Sequence, residues 1–594
     1  MVGVGYCGLY TAFVINAYYT IIIAWAVLYF FRSFSSPLPW SPEGAEIDCP
    51  SESPAGEYFY KTVLGYLVLE DGKCRELQPG EGGLINWDTF GAVVFCYLIV
   101  YLCIFRGVKS SSFVVWFAVP LPIILILILL VRGATLPGAG DGIDVYLHGE
   151  PGTDRLASLS NGQIWTDAAG QIFFSLGLCE GVLTAQGSYN AYRKPVIFDT
   201  VLIAVINCSF SFLAGFAVFS VVGYLRHIGS PVSAEMDSFG LAFISYPTAV
   251  TQMGGANWWN LCLFLTFFTL GIDSTFATVE AVSTVVADTR VGRFLGRPFT
   301  ALALVLLLIG SSVSFCANVG IVILNVVDHY VSVFMLLLKG VLQPFAVGWM
   351  YEQEEIAKRT GIASMLIYNA GFWVILEVAL AISLFALDGR LWIGVVIVVL
   401  LFPPTAFISF KLSNMTWHEW VRLVPLSGVR KIARHMTLLG ELSRGERRRR
   451  RDQIFEVAWC VLIKYVMPIS ISILLLLSLD EDIHERYRNY PDGSLWIGRG
   501  LSIIFVLLFA AGLLLGTQPE EFSVQLDIPY DEMCVEHIRR IEEVSKAADS
   551  AKMDSLDRRL SESFIDVSEE HRNGHLGTDS PEQLQVQGNG FAIN

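Results

Sequence analysis

The residues best placed to do chemistry lie in Gln171–Asn190, QIFFSLGLCEGVLTAQGSYN. Apolar side chains flank this stretch, while Ser175, Gly177, Glu180 and Gly181 interrupt its centre. A continuous helix in hydrocarbon satisfies its own backbone groups; an interrupted one survives only against protein or along a water-filled cavity. An ionisable group inside a membrane segment marks a functional site by default. The pattern implies a transporter or channel whose substrate path passes near residues 174–181. The plainer alternative is the end of a short helix hairpin at the membrane surface.

The rest of the chain supplies the elements such a site needs. Only 16% of its 594 residues are charged, against roughly 25% in soluble domains, and mean hydropathy is +0.54. Apolar runs reach the ~20 residues that cross a bilayer. Twelve spanning segments are expected near 5–32, 87–105, 112–132, 165–187, 198–225, 257–285, 298–315, 320–350, 364–387, 391–410, 455–478 and 494–516. The N-terminal stretch lacks the basic start of a secretory signal, and its apolar part is too long for one. The net charge of −15 sits mainly in one outer loop and the C-terminal tail, which does not suggest nucleic acid.

Loop charge sets the orientation. Counting from a cytosolic residue 1, the inner loops hold Arg106 and Lys109, Arg193 and Lys194, then Arg290, Arg293 and Arg297. A later inner loop holds Lys411, Arg430, Lys431, Arg434 and the run Arg447–Arg451. Opposite loops hold Asp48, Glu52, Glu57, Glu70 and Asp71, then Asp480, Glu481 and Asp482. The Lys/Arg bias places the first set inside and the C-terminus in the cytosol. The Arg447–Arg451 run reads as a topology determinant or an anionic-lipid contact. Cys49 and Cys74 share the outer loop 33–86, where a disulfide is reasonable. The tail 517–594 reads as polar and mostly disordered, with one short helix near 530–546.

Several long motifs, in order, resemble the neurotransmitter:sodium symporters, the sodium- and chloride-coupled carriers of amino acids and monoamines. NAYYTIIIAWAVLYFFRSFSSPLPW at 16–40 resembles that family's third helix and outer loop, and RGVKSS at 106–111 its loop between helices four and five. QIFFSLG and GSYN bracket its broken sixth helix, and FGLAFISYP at 239–247 resembles its fourth outer loop. Asn207, Ser211 and the following FLAGFAVFSVVGYL fit its seventh helix, and LGIDSTFATVE at 270–280 its eighth. The match is dense over 1–351 and weak over 455–516. It implies an all-α polytopic membrane protein with the leucine-transporter-type inverted-repeat fold and about twelve helices.

Two departures accompany the resemblance. Two family helices, including the other broken one, precede the point matching Met1, so the chain reads as N-terminally incomplete, with a gene-model error the expected cause. The region 352–454 carries two apolar segments and a basic loop that read as an insertion after the core at 1–351. CVLIKYVMPISI at 460–471 resembles the family's eleventh helix, making 455–516 the last pair.

The resemblance also implies sites. Leu270, Asp273 and Ser274 match the second sodium site, and Ser175 and Asn207 the first. Gln171, Ser175, Asn207 and Ser211 match the chloride site; chloride-independent members carry a carboxylate where Ser211 stands. Substrate would meet Ile15, Tyr19, Phe174, Ser175, Ser274 and Thr275. Glu180 would favour a cationic or strongly polar substrate if it faces the pocket, and says little if it faces the vestibule. Asp328 matches the acid of the outer gate, and Tyr189 and Asp288 the cytosolic gate. Taken singly, Ser175 and Asn207 could be interhelical hydrogen bonds, and Asp288 a helix cap.

The expected function is therefore sodium- and chloride-coupled symport of a small amino acid or amine, at the plasma membrane by family default. No nucleophile–base pair or phosphate loop points to an enzyme. The competing readings are a non-transporting, partner-dependent or decayed homologue and, less directly, an ion channel.

Overall fold

The computed structural model describes residues 2–514 except 45–52, 71–72, 78–80, 82, 150–158, 160, 191–195, 231–237, 352, 386–390, 427, 431, 434–435, 438–449 and 485–486. Cys49, Asp48, Glu52, Asp71, Arg193, Lys194, Lys431, Arg434, residues 447–449 of the basic run and the tail helix near 530–546 lie outside the described residues.

Among the described residues, eleven helices are long and apolar enough to cross a bilayer. The chain runs through α1 (Val2–Arg32), α2 (Trp87–Ile104), α3 (Val108–Ala118) and α4 (Pro120–Ala134), the last two forming one span bent at Pro120. Proline lacks an N–H and starts a helical turn more easily than it continues one. Next come α5 (Ala139–His148), α6 (Gly162–Ser175), α7 (Val182–Gly187), α8 (Val196–His227), α9 (Ala256–Ala287) and α10 (Arg297–Ser312). A further span joins α11 (Gly320–His329) to α12 (Leu336–Phe345) through a π-helical turn at Tyr330–Met335. Then follow α13 (Ile362–Phe385), α14 (Leu391–Leu412), α15 (Met467–His484) and α16 (Asp492–Leu514). The twelfth expected span, 165–187, is the pair α6 and α7, which breaks where Gly177 and Gly181 stand.

The outer loop also holds a small hairpin of β1 (Leu67–Glu70) and β2 (Lys73–Glu76), with Leu69 opposite Cys74. This ribbon and an isolated antiparallel bridge between Ile85 and Ala317 depart from an all-helical architecture. Cys74 is disulfide-bonded.

Helix α1 is the axis of the core and packs against α2, α9, α10 and α16. Its buried Thr11, Asn16 and Thr20 side chains donate to the carbonyls of Cys7, Ala12 and Asn16, one turn back. Neighbouring helices reach in as well: Tyr97 Oη donates to Asn16 O at 2.8 Å and Ser312 Oγ to Ala17 O at 2.8 Å. Hydrocarbon gives helices little hydrophobic reason to associate, so such bonds, worth about 0.6 kcal/mol each, together with close packing fix α1 in place. At its outer end Trp25 and Tyr29 pack among Trp40, Tyr58, Phe59 and Phe243. Tyr29 Oη donates to Phe243 O at 3.0 Å, tying the segment 238–251 down over α1. A second aromatic cluster around Trp349, Tyr368, Phe372 and Trp420 joins α13, α14 and α15.

Candidate functional site

The helix break has a local cause. Leu178 N donates to Phe173 O at 2.8 Å and Gly177 N to Phe174 O at 3.0 Å. This crossed pair ends a helix when the residue at Gly177 is left-handed, and Gly177 has φ +60°. Cys179 (φ +66°) and Gly181 (φ +90°) prolong the reversal, and α7 then restarts from Gly181. Glycine enters this region without steric cost; Cys179 is held there against its preference.

Ser175, the last residue of α6, meets Asn207 of α8. Ser175 Oγ donates to Asn207 Oδ1 at 3.1 Å and accepts from Asn207 Nδ2 at 2.8 Å. Gln171 and Ser211, the other two residues of the implied chloride set, remain exposed. On α9, Ser274 Oγ donates to Leu270 O at 3.4 Å, so two members of the implied second sodium site are neighbours. Asp273 stands half-buried beside them, while the Leu270 side chain is exposed.

Tyr19 links these groups. Its phenol is in polar contact with Ser274 and within electrostatic reach of Asp273 and Glu180. Its ring meets Phe174 edge-on, centroids 6.1 Å apart. Ile15 is buried one turn below, and the Thr275 hydroxyl is taken by Gly271 O at 3.0 Å. The fold thus gathers Tyr19, Phe174, Asp273 and Ser274 from α1, α6 and α9.

Glu180 is buried, 6% exposed, on the wall of a cavity of about 470 Å³. Lys339 of α12 lines the same cavity and interacts electrostatically with Glu180. Glu180 thus shares its cavity with an ammonium.

The residues expected at the two gates have these surroundings. Tyr18 Oη donates to Asp328 Oδ1 at 2.8 Å, joining α1 to α11. Tyr189 Oη lies 2.8 Å from Thr284 Oγ1 and accepts from Arg297 Nη2 at 2.5 Å. Asp288 is exposed at the end of α9 and lines the lower part of the cavity.

Sequence reasoning missed Tyr18, Arg297 and Lys339. Tyr18 and Tyr19 point about 100° apart on a helix, so one faces Asp328 and the other Phe174 and Ser274. Lys339 has its own signal in the sequence, a lone ammonium in the apolar run LLLKGVLQPF.

A multi-pass helical bundle with one broken helix, polar groups from three helices converging on the break, is a membrane carrier fold of the leucine-transporter type. The chain belongs to the sodium:neurotransmitter symporter family, whose profile matches residues 1–424. It is 35% identical over 369 residues to the sodium- and chloride-dependent GABA transporter 2 of Mus musculus, covering 59% of this chain and 60% of that protein. The human protein of the same name is 34% identical over 370 residues. The sodium- and chloride-dependent taurine transporter of Bos taurus is 33% identical over 401 residues, 63% of this chain and 62% of that protein. The chain thus spans about three fifths of the length of the curated relatives it matches. The family and these relatives are transporters, not enzymes. The match takes in α13 and α14, where the sequence suggested an insertion, and ends before α15 and α16.

Proposed function

We propose that this protein is a sodium- and chloride-coupled symporter of a small zwitterionic amino acid or sulfonic-acid analogue, working by alternating access. The observation that carries the reading is the meeting of Tyr19, Phe174 and Ser274 beside the break. Relatives named for GABA and taurine share a substrate chemistry, an amino group at one end of a short chain and an acid at the other. Tyr19 can donate its phenolic hydrogen to that acid, and the Phe174 ring can close over the chain.

Asp273, Ser274 and the Leu270 carbonyl are hard oxygen donors suited to sodium. Ser175 and Asn207 would serve a first sodium and, with Gln171 and Ser211, a chloride. Carbonyls freed at a break and half-helix ends are where this type of fold holds its ions. Each sodium carried down its gradient contributes about 2.3 kcal/mol per 100 mV of membrane potential. Asp328 with Tyr18 closes the outer side, and Tyr189, Arg297 and Asp288 the inner side. Cys49 is the proposed partner of Cys74, and the plasma membrane the proposed location.

Uptake of labelled GABA, taurine and β-alanine into cells or proteoliposomes tests this, with sodium replaced by choline and chloride by gluconate. Accumulation that needs both ions supports the proposal. Surface-expressed protein that accumulates none of them in any ion condition rejects it in favour of a non-transporting homologue.

A further inference from the structure

Lys339 is a buried cation that the transport reading leaves unused. It is 3% exposed, within a segment whose other buried side chains are apolar. Removing an ammonium from water costs several kcal/mol unless its charge and hydrogens are met. Lys339 Nζ donates to the carbonyl oxygen of Cys179, in the turn between α6 and α7. That oxygen is free to accept because the helix is broken there. The Glu180 carboxyl lines the same cavity and lies within electrostatic reach of the ammonium. Gly8 of α1 closes the remaining side; a methyl group there would collide with Nζ.

A carbonyl freed in an unwound turn, with the buried carboxyl of the next residue on the wall of the same cavity, offers hard oxygens to a monovalent alkali cation. Here an ammonium tethered to α12 takes that cation's place. We propose that Lys339 is a resident cation: it neutralises Glu180 and holds the Cys179–Glu180 turn, so this end of the broken helix takes no sodium from solution. The coupled ions then bind only elsewhere, and the charge at this point never leaves with the substrate. The inference rests on the transporter reading only for its consequence in coupling; the binding claim stands apart from it.

Sodium binding to the purified full chain tests it, counted with radioactive sodium in detergent. Lys339→Met and Lys339→Gln should each bind one sodium per chain more than the unmodified protein. The additional site should vanish in Lys339→Met/Glu180→Gln. Lys339→Arg should keep the unmodified count. An unchanged count in both neutral variants overturns the proposal. Glu180→Gln in the otherwise unmodified chain serves if the Lys339 variants do not fold. It should bind as many sodium ions as the unmodified protein, and one ion fewer would show that Glu180 itself held sodium. Failure of the transporter reading would appear separately, as unmodified protein that binds no sodium while the Lys339 variants bind one.

Discussion

Ser175 and Asn207 clasp each other across 32 positions of sequence, Ser175 Oγ both donating to the Asn207 amide and accepting from it at 3.1 and 2.8 Å. This is the bond by which the end of α6 is registered against α8, and both residues belong to the proposed first sodium site. Asn207→Ala should lower stability by about 0.6–2 kcal/mol, the usual range for a hydrogen bond between membrane helices. It should also raise the half-saturating sodium concentration at least tenfold. Ser211→Ala should leave stability unchanged and shift only the chloride dependence. Thermal unfolding titrated separately with sodium and chloride checks both, and equal shifts for the two variants would refute the assignment.

The break depends on left-handed backbone at Gly177 and Cys179, with φ +60° and +66°. A side chain in that region costs roughly 1–2 kcal/mol. Gly177→Ala should therefore destabilise the protein by about that amount. Cys179→Gly should relieve the strain, offset in part by the loss of the Sγ contact to Gln343 at 3.2 Å. Melting temperatures of the two variants in one detergent should move in opposite directions; a shared fall would count against the strain argument.

Tyr18 and Asp328 form the one bond proposed for the outer gate. Tyr18→Phe removes the donor and leaves a half-buried carboxyl short of a partner, at a cost of about 1.5–3 kcal/mol for a charge-assisted bond. Tyr18→Phe and Asp328→Asn should be strongly non-additive in the double variant, because each breaks the same contact. Tyr19→Phe should cost less, about 0.5–1.5 kcal/mol for the neutral contact to Ser274, and weaken substrate binding as well. Denaturation and ligand-protection curves for the three single variants separate these roles.

On the side proposed to face the cytosol, Arg297 touches Tyr189 twice, through a hydrogen bond of 2.5 Å and with its guanidinium 5.6 Å from the ring centroid. Arg297→Lys keeps the charge but loses the planar contact. It should open the inner side, seen as faster modification of a cysteine introduced at Ala185, which lines the cavity. Stability should change by less than about 1 kcal/mol, since the pair is exposed. An unchanged modification rate would remove Arg297 from the gate.

Local patterning was enough to read the membrane class, eleven of the twelve expected spans and the position of the break. These are local properties: apolar length sets a span, and glycines in the left-handed region end a helix within a few residues. The lone acids Glu180, Asp273 and Asp328 were legible for the same reason, as charges set in apolar runs. Their meaning was not. Tyr18 and Asp328 are 310 positions apart, and Lys339 and Cys179 are 160 apart. Only the packing of α1, α11 and α12 around the break decides that Asp328 meets a phenol and that Glu180 shares its cavity with an ammonium. Hydropathy fixes how each helix lies in the bilayer but not how it rotates about its axis, and rotation chooses which polar groups meet.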